Sequence, residues 1–300
     1  MAESLQPFYA EVDATEWRLV GDEVLGTKPK RWLAHPESAE NWLLKDATYS
    51  CRADGTAYRK GDDWAERIAA GVAERVGIPA AVIELATYTR GNEIHLGVIS
   101  KSVLAHGEAL LHGNELLREP VVGRHRSGYT LEAVREALEN VRPPVGIAEP
   151  FSAWDVFAGY LLLDAVIGNT DRHEENWAVI RRGDLRWLAR SFDHASSLGF
   201  LLDDAEREAR LATRDRGYTV EAWADRARCP FARGPRLLAT AIAALEMAST
   251  QACMHWLEQC RDADRLVEPI WLVPEHRMSS SARDFAERVV RRNHERLMAW

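Results

Sequence analysis

The polar residues between Asp171 and Asp193 are the ones best suited to carry out chemistry. The segment NTDRHEEN places four residues between Asp171 and Asn176, and Asp193 follows in RSFDHASS at the end of a predicted strand. Polar side chains clustered between buried elements usually serve a function. Two carboxylates and an amide supply oxygen atoms that can hold Mg²⁺ and orient an alcohol. Phosphoryl transfer is a reaction that needs these groups together.

The spacing matches that of protein kinases, which supply an Asp, an Asn five residues later and a second Asp on the next hairpin. In that geometry Asp171, Asn176 and Asp193 would meet in one pocket. A single Asp-x4-Asn is common by chance, so the prediction depends on all three residues following a buried helix. The structural alternative is a turn-capping role for Asp171 and loop-to-strand contacts for the other two.

The residues before position 100 contain plausible complements. Lys45 lies in an apolar strand, NWLLKDA, from which its ammonium could reach the α- and β-phosphates of ATP. Glu66 lies early in a predicted helix and could pair with Lys45, although Glu74 on the same helix is a rival. A glycine-containing loop could cover the phosphates with backbone N–H groups and lysine charge, or form an ordinary hairpin turn. The loop runs from Gly26 through Thr27, Lys28 and Pro29 to Lys30.

The pattern of elements predicts an α+β protein with a bilobal, protein-kinase-like fold. Residues 1–100 alternate short extended segments with one amphipathic helix, which begins at Asp62 and ends at Gly77. We expect them to form a small N-lobe with an antiparallel sheet and one helix, which binds the nucleotide. Residues 101–300 are predicted to form a mostly helical C-lobe that carries the catalytic and metal-binding loops.

Several further elements have recognisable ends. Thr130 is predicted to cap a helix that Pro143 and Pro144 terminate. Another helix is apolar on nearly every face and is therefore predicted to be buried. The predicted spans are a hairpin with its turn at Arg90–Asn92, the buried helix Ser152–Val166, a strand RWLARSF before Asp193, and long helices at Arg236–Gln259 and Ala282–Met298.

The composition argues against several classes of protein. A net charge of −8 and a pI near 5.7 are not typical of a protein that binds a nucleic acid backbone directly. The four cysteines form no CxxC pair of the kind that binds zinc. No stretch approaches 18 apolar residues and no secretory signal is evident, so we expect a cytoplasmic protein that does not bind membranes.

At these residues the sequence resembles the HipA-type serine/threonine kinases, whose core is similar to that of phosphatidylinositol 3/4-kinases. NTDRHEEN is similar to the family's catalytic loop, FDHAS to its metal-binding segment and WLLKDAT to its ATP-lysine strand. The resemblance implies ATP and Mg²⁺ as cofactors and Lys45 as the phosphate clamp. It also implies Asp171 as the catalytic carboxylate, with Asn176 and Asp193 as the Mg²⁺ ligands.

The resemblance implies further features of function. The acceptor would be a serine or threonine of a protein, and the chain would act as a toxin with an antitoxin-like partner. His173 has two interpretations, since lipid kinases use this histidine as a second catalytic group whereas it could also hold the loop by bonding the backbone. The family's regulatory phosphoserine has no serine counterpart in the nucleotide loop, where Thr27 has the only hydroxyl. The implied adenine contacts are Ile99, Ser100 and Lys101.

Three alternative functions fit parts of the sequence. A lipid or small-molecule kinase would use the same core, although no basic amphipathic segment for membrane docking is evident. A non-catalytic nucleotide-binding module would look identical in sequence. A metallohydrolase would leave Lys45 and Glu66 unexplained. Its metal ligands would be Asp171, His173, Asp193 and His194.

Overall fold

A six-stranded sheet and a group of helices make up the fold, as seen in a computed structural model that describes residues 8–23, 29–38, 40–147 and 150–300. The first strands are β1 (Glu11–Asp13), β2 (Arg18–Glu23), β3 (Lys30–Ala34), β4 (Asn41–Asp46), β5 (Tyr49–Cys51), β6 (Ala57–Arg59), β7 (Ile83–Arg90) and β8 (Glu93–Lys101). The sheet has the order β1-β7-β8-β4-β3-β2, while β5 and β6 pair separately. All its pairs are antiparallel except β1 with β7, which is parallel. The predicted α+β class is therefore confirmed.

Helix α1 (Asp62–Val76) packs against β7 and β8. Nearly all of its residues are buried, including the charged Asp63 and Glu66, so the helix is covered on nearly every side and not only on its apolar face. Gly77 ends the helix in the left-handed conformation, as the sequence predicts. The predicted hairpin is also confirmed, with Gly91 in the left-handed conformation at the turn between β7 and β8.

Most of the remaining chain is helical. Helix α4 (Ala153–Ile167) is buried along its whole length and packs against four other helices, as expected for a helix that is apolar all round. Ser152 and Asp155 form a capping box at its start. The other helices are α2 (Gly113–Leu116), α3 (Leu131–Ala137), α5 (Asp204–Ala212), α6 (Val220–Arg226), α7 (Leu237–Glu246), α8 (Thr250–Gln259), α9 (Ala263–Trp271) and α10 (Ser280–Met298).

The prediction of one long helix over Arg236–Gln259 was wrong. The chain forms α7 and then α8, because Ser249 adopts an extended conformation and caps α8 by accepting a hydrogen bond from the Ala252 N–H. The Ser249 N–H donates instead to the Asp155 carboxylate at 2.7 Å, so it is not available to continue α7. A contact with α4 therefore decided the break.

Two smaller boundaries also differ from the predictions. Thr130 does cap α3, but the helix ends at Ala137 rather than at the prolines, and Asn140 turns the chain in the left-handed conformation. The strand predicted over RWLARSF ends at Leu188, before the residues that lead to Asp193.

A three-stranded sheet supports the polar loop that follows α4. Its strands are β9 (Ala109–His112), β10 (Ala178–Arg182) and β11 (Leu185–Leu188), and β10 lies between the other two. The polar loop enters β10 directly, so this sheet fixes its far end while α4 fixes its near end. Among the helices of the described residues, none has the length and apolar character needed to cross a membrane.

Candidate active site

The polar loop begins where α4 ends. Gly168 closes the helix in the left-handed conformation, and Asn169 then folds back so that its amide donates to Asp164 Oδ1 at 2.7 Å. The Asn169 side-chain oxygen accepts from the Asp171 N–H at 3.2 Å. Asp171 is thus placed by two hydrogen bonds that start from a buried carboxylate of α4.

Arg172 is the buried centre of this region, with 1% of its surface exposed. Its Nε and one terminal nitrogen donate to the two oxygens of Asp164, at 2.7 and 2.9 Å. It also donates to the backbone oxygen of Asn176 at 2.7 Å and to the Ser191 hydroxyl at 2.9 Å. One guanidinium therefore ties the loop to α4 and to the segment leading to Asp193. The acidic core residue that neutralises Arg172 is Asp164.

The Asp171 side chain is about half exposed, at 49%. Its Oδ2 accepts a hydrogen bond from the Ser196 hydroxyl at 3.4 Å, and His173 Nε2 lies 3.9 Å from its Oδ1. The other ring nitrogen of His173 accepts from the Glu175 N–H at 3.2 Å. This backbone contact is the one expected if His173 holds the loop, which is the second of its two interpretations.

Asn176 lies at the other end of the short turn that begins at Asp171. Its amide nitrogen donates to the backbone oxygen of Asp171 at 2.7 Å, and the residue is nearly buried. Because the NH₂ group is used in this way, the amide oxygen is the atom that remains to bind a cation.

Asp193 lies in the left-handed conformation, with φ of 59°. Such a conformation is uncommon outside glycine, and here it turns the chain between the segment after β11 and the next loop. Its Oδ1 lies 3.1 Å from the Lys45 ammonium, and its Oδ2 lies 3.6 Å from that of Lys30. Burial opposes ionisation of Asp193, but the charges of Lys45 and Lys30 outweigh it and hold its pKa well below the usual range.

The Lys45 ammonium also contacts Glu66 Oε1 at 2.7 Å, and Glu66 is 1% exposed. Burial favours a neutral amine at Lys45, yet the charges of Asp193 and Glu66 outweigh it and raise the pKa of Lys45. Burial raises the pKa of Glu66, even though the Lys45 charge acts to lower it. The rival residue, Glu74, is well exposed and lies 3.9 Å from Arg67.

The strand register explains why two lysines reach Asp193. Lys30 in β3 and Lys45 in β4 are directly paired across the antiparallel ladder, so their side chains point to the same face of the sheet. On the other side of β4, Gly97 in β8 lies against the backbone of Lys45, and a Cβ there would overlap the Lys45 carbonyl oxygen. Glycine permits the close approach of these strands.

The residues predicted to contact adenine lie at the end of β8. Ile99 and Ser100 are buried, and they pair with Leu44 and Leu43 of β4. Lys101 forms an ion pair with Glu40 at 2.6 Å. The predicted phosphate loop of Gly26, Thr27 and Lys28 lies outside the described residues.

Comparison with solved structures identifies similar folds. The chain superposes on the Helicobacter pylori proinflammatory kinase CtkA with a TM-score of 0.68 and 18% sequence identity, covering 97% of this chain and 99% of that one. It is also similar to HipA of Shewanella oneidensis MR-1, solved in a toxin–antitoxin complex with HipB and operator DNA. That match has a TM-score of 0.59 and 13% identity, and covers 95% and 67% of the two chains.

This chain has the HipA-type kinase fold. No protein-family model matches the sequence, and no curated protein matches it either. The likeness in fold is thus detected in three dimensions, whereas in sequence it rests on the short motifs around Lys45, Asp171 and Asp193.

The fold also bears on the metallohydrolase alternative. His194 is buried, and its Nε2 is bonded to the Ser191 hydroxyl at 2.7 Å. Burial and the nearby Arg172 charge hold the pKa of His194 well below its usual range. Within the described ranges, no three His, Cys, Asp or Glu side chains are grouped as metal ligands. His194 therefore supports the loop from the inside, as part of the Arg172 network.

Three residues of this site were not singled out from the sequence. Asp164 sits in the middle of an apolar helix, where a lone carboxylate signals a buried partner. Lys30 was noted only as part of a loop, and its register opposite Lys45 requires knowledge of the strand pairing. Ser196 follows Asp193 by three residues, but nothing in its spacing indicates that it contacts Asp171.

Proposed function

We propose that this protein is an ATP- and Mg²⁺-dependent kinase that phosphorylates a serine or threonine of another protein. The observation that carries the proposal is the position of the Lys45 ammonium between Glu66 at 2.7 Å and Asp193 at 3.1 Å. These three residues come from β4, α1 and the loop after β11, which are far apart in sequence. A lysine clamped in this way is the phosphate-binding group of kinases.

The proposed nucleotide site lies between an N-lobe of residues 1–100 and a C-lobe of residues 101–300. Lys45 and Lys30 supply positive charge for the phosphates. The adenine would lie against the end of β8, near Ile99, Ser100 and Lys101. The loop of Gly26, Thr27 and Lys28 would cover the phosphates with its N–H groups.

The proposed metal ligands fit magnesium in their chemistry. Asp193 remains ionised because Lys45 and Lys30 lower its pKa, and Asn176 has its amide oxygen available. Hard oxygen donors of this kind suit Mg²⁺, which takes a small number of protein ligands together with phosphate oxygens. When bound, the ion would neutralise charge on the phosphates. Asp193 and Asn176 would orient them relative to Lys45.

Asp171 is proposed to orient the acceptor hydroxyl and to take up its proton. The carboxylate is half exposed, so an acceptor can reach it from solvent. Asn169 and the Arg172 network hold its backbone in place, and Ser196 donates a hydrogen bond to one of its oxygens. We assign His173 a minor role in catalysis, in which it holds the turn beside Asp171.

The proposed partners are ATP, a protein acceptor and an antitoxin-like protein. The last of these is suggested by the HipA neighbour, which was solved with HipB and operator DNA. We propose no direct contact between this chain and DNA, in keeping with its net charge of −8.

Transfer of labelled γ-phosphate from ATP, with and without Mg²⁺, tests the proposal. Wild type, Asp193→Ala and Lys45→Met would be compared for nucleotide binding by calorimetry and for label transfer to proteins of a cell extract. Lys60→Met is the matched control, since it removes a lysine outside the cluster. We expect wild type and Lys60→Met to bind MgATP and label protein, and the other two variants to do neither. Labelling that persists in Asp193→Ala would contradict the proposal. Labelling of phosphatidylinositol vesicles without labelling of protein would favour the lipid-kinase alternative.

A further inference from the structure

Arg277 lies in the loop between α9 and α10, and it is 1% exposed although it carries a full charge. Its guanidinium reaches across to the six-stranded sheet and to α1. It is bonded to the carboxylates of Glu11 in β1 and Asp63 in α1, the latter at 3.1 Å. It also donates to the backbone oxygens of Ala86 in β7, at 2.7 Å, and Gly97 in β8, at 3.3 Å. One side chain from the helical part therefore joins four elements.

Two of these contacts flank the Lys45–Glu66 ion pair. Asp63 precedes Glu66 by three residues on α1, so the two side chains lie on neighbouring positions of one helical face. Gly97 lies directly against the backbone of Lys45. The same terminal nitrogen of Arg277 donates to Asp63 and to Gly97. One nitrogen therefore connects α1 to β8, the strand that pairs with β4 beside Lys45.

A second arginine strengthens this connection. Arg59 donates to Asp63 Oδ2 at 2.6 Å, and it also donates to the backbone oxygen of Arg277. Asp63 has no exposed side-chain surface and receives both guanidinium groups on one oxygen. The buried Asp63 carboxylate, the partly exposed Glu11 carboxylate and two arginines therefore form a compact network at the start of α1. Removing Asp63 would leave the buried Arg277 charge short of a partner.

We propose that Arg277 is a positioning residue for the Lys45–Glu66 pair, an inference that rests on the proposed kinase function. By holding α1 and β8 together, it fixes the place of the Glu66 carboxylate relative to the Lys45 ammonium. A planar guanidinium can satisfy several acceptors in fixed directions at once. A lysine keeps the charge but cannot reproduce this geometry.

The test is a double-mutant cycle between Arg277→Lys and Glu66→Gln, measured as kcat for phosphate transfer under saturating MgATP. We expect Arg277→Lys to lower kcat about tenfold, and to leave KM for the protein acceptor unchanged. In the Glu66→Gln background, the same substitution is expected to have no further effect on kcat, because it acts through Glu66. Equal effects of Arg277→Lys in both backgrounds would overturn the proposal.

Arg283→Lys is the matched control. Arg283 is also buried at the start of α10, but among the described residues its guanidinium donates to backbone oxygens of the same region, those of Trp271, Val273 and Met278, and not to α1 or the six-stranded sheet. This substitution is expected to lower the melting temperature and to leave kcat unchanged. A loss of kcat in Arg283→Lys as large as that in Arg277→Lys would mean that the effect is general destabilisation.

Two further measurements test the inference even if Arg277→Lys does not fold or if wild type shows no kinase activity. If Arg277→Lys does not fold, Asp63→Asn is the second variant. It removes the carboxylate charge on α1 that Arg277 contacts, and it is expected to lower kcat in the same manner. If wild type transfers no phosphate, the proposed function fails. The double-mutant cycle can then still be measured through the melting temperatures of the variants. Additive shifts in melting temperature for Arg277→Lys and Glu66→Gln would then overturn the positioning role, whereas non-additive shifts would support it.

Discussion

Arg172 and Asp164 form a buried, two-pronged ion pair, with Nε to Oδ2 at 2.7 Å and a terminal nitrogen to Oδ1 at 2.9 Å. Both side chains are 1% exposed. The pair joins the end of α4 to the polar loop, and further bonds from Arg172 extend it to the segment before Asp193. The candidate catalytic and metal-binding residues are therefore held by one network rather than by two separate loops.

We predict that Asp164→Ala lowers the free energy of unfolding by about 3 to 5 kcal/mol, because it leaves the Arg172 charge buried without its partner. The measurement is denaturant unfolding of the purified variant. Glu258→Ala is the control, since Glu258 pairs with Arg261 at the surface. We expect it to change the free energy of unfolding by less than about 1 kcal/mol. Similar losses for the two variants would contradict the prediction.

Substitutions of Asp171 and Asp193 should have different effects on nucleotide binding and on phosphate transfer. Asp171→Asn is expected to lower kcat at least about a hundredfold, because the proton acceptor is removed. Its affinity for MgATP should remain close to that of wild type. Asp193→Asn should lose both affinity and transfer, because it removes the proposed metal ligand. Calorimetric titration with ATP, with and without Mg²⁺, would distinguish the variants, and a loss of MgATP affinity in Asp171→Asn would count against the assigned roles.

Gly97→Ala should destabilise the sheet, since the new Cβ would overlap the Lys45 carbonyl oxygen and push β8 away from β4. We expect a loss of about 1 to 3 kcal/mol in the free energy of unfolding, together with weaker nucleotide binding. Gly21→Ala in β2 is the control, because a Cβ there meets no atom within 4 Å. It is expected to be neutral within about 0.5 kcal/mol. The prediction fails if both variants unfold at the same denaturant concentration.

The thiols should differ in reactivity in the folded state. Cys51 is exposed, whereas Cys260 is buried and burial raises its pKa to about 12. At pH 8 a disulfide reagent should therefore label Cys51 quickly and Cys260 only after unfolding, because the thiolate is the reactive form. Rapid labelling of Cys260 in the folded protein, located by mass spectrometry of its peptides, would contradict this expectation; Cys253 is partly exposed and is followed separately.

The raised pKa of Cys260 also predicts a pH dependence of stability. The unfolded thiol ionises near its ordinary pKa of about 8.5, while the folded thiol stays protonated until about pH 12. The contribution of Cys260 is therefore fully present below the unfolded pKa and is lost as pH rises toward the folded value. Cys260→Ala should show a smaller loss of stability than wild type when the pH is raised from 8 to 10. Equal losses would argue against a buried, protonated thiol.

The local elements were predicted well where short-range signals dominate. The hairpin turn near Gly91 and the end of α1 at Gly77 follow from the freedom of glycine to adopt the left-handed conformation. The burial of α4 follows from its apolar residues on every face. The break at Ser249 is not predicted from the sequence because no glycine or proline separates α7 from α8, and the residue that separates them is bonded to Asp155, distant in the sequence.

The sequence by itself determined that Asp171 and Asn176 lie close together, because a loop of a few residues after a helix keeps its members close whatever the rest of the chain does. It marked Asp193 as a candidate by residue type and position after a predicted strand. It also marked Lys45 and Glu66 as a candidate pair. Only the tertiary structure decided that Lys45 meets both Glu66 and Asp193, that Lys30 joins them, and that a buried arginine near the C-terminal helix spans α1 and β8. Such contacts depend on strand register and on helix packing, which are set by the burial of apolar surface across the whole chain. No local pattern of residues specifies them.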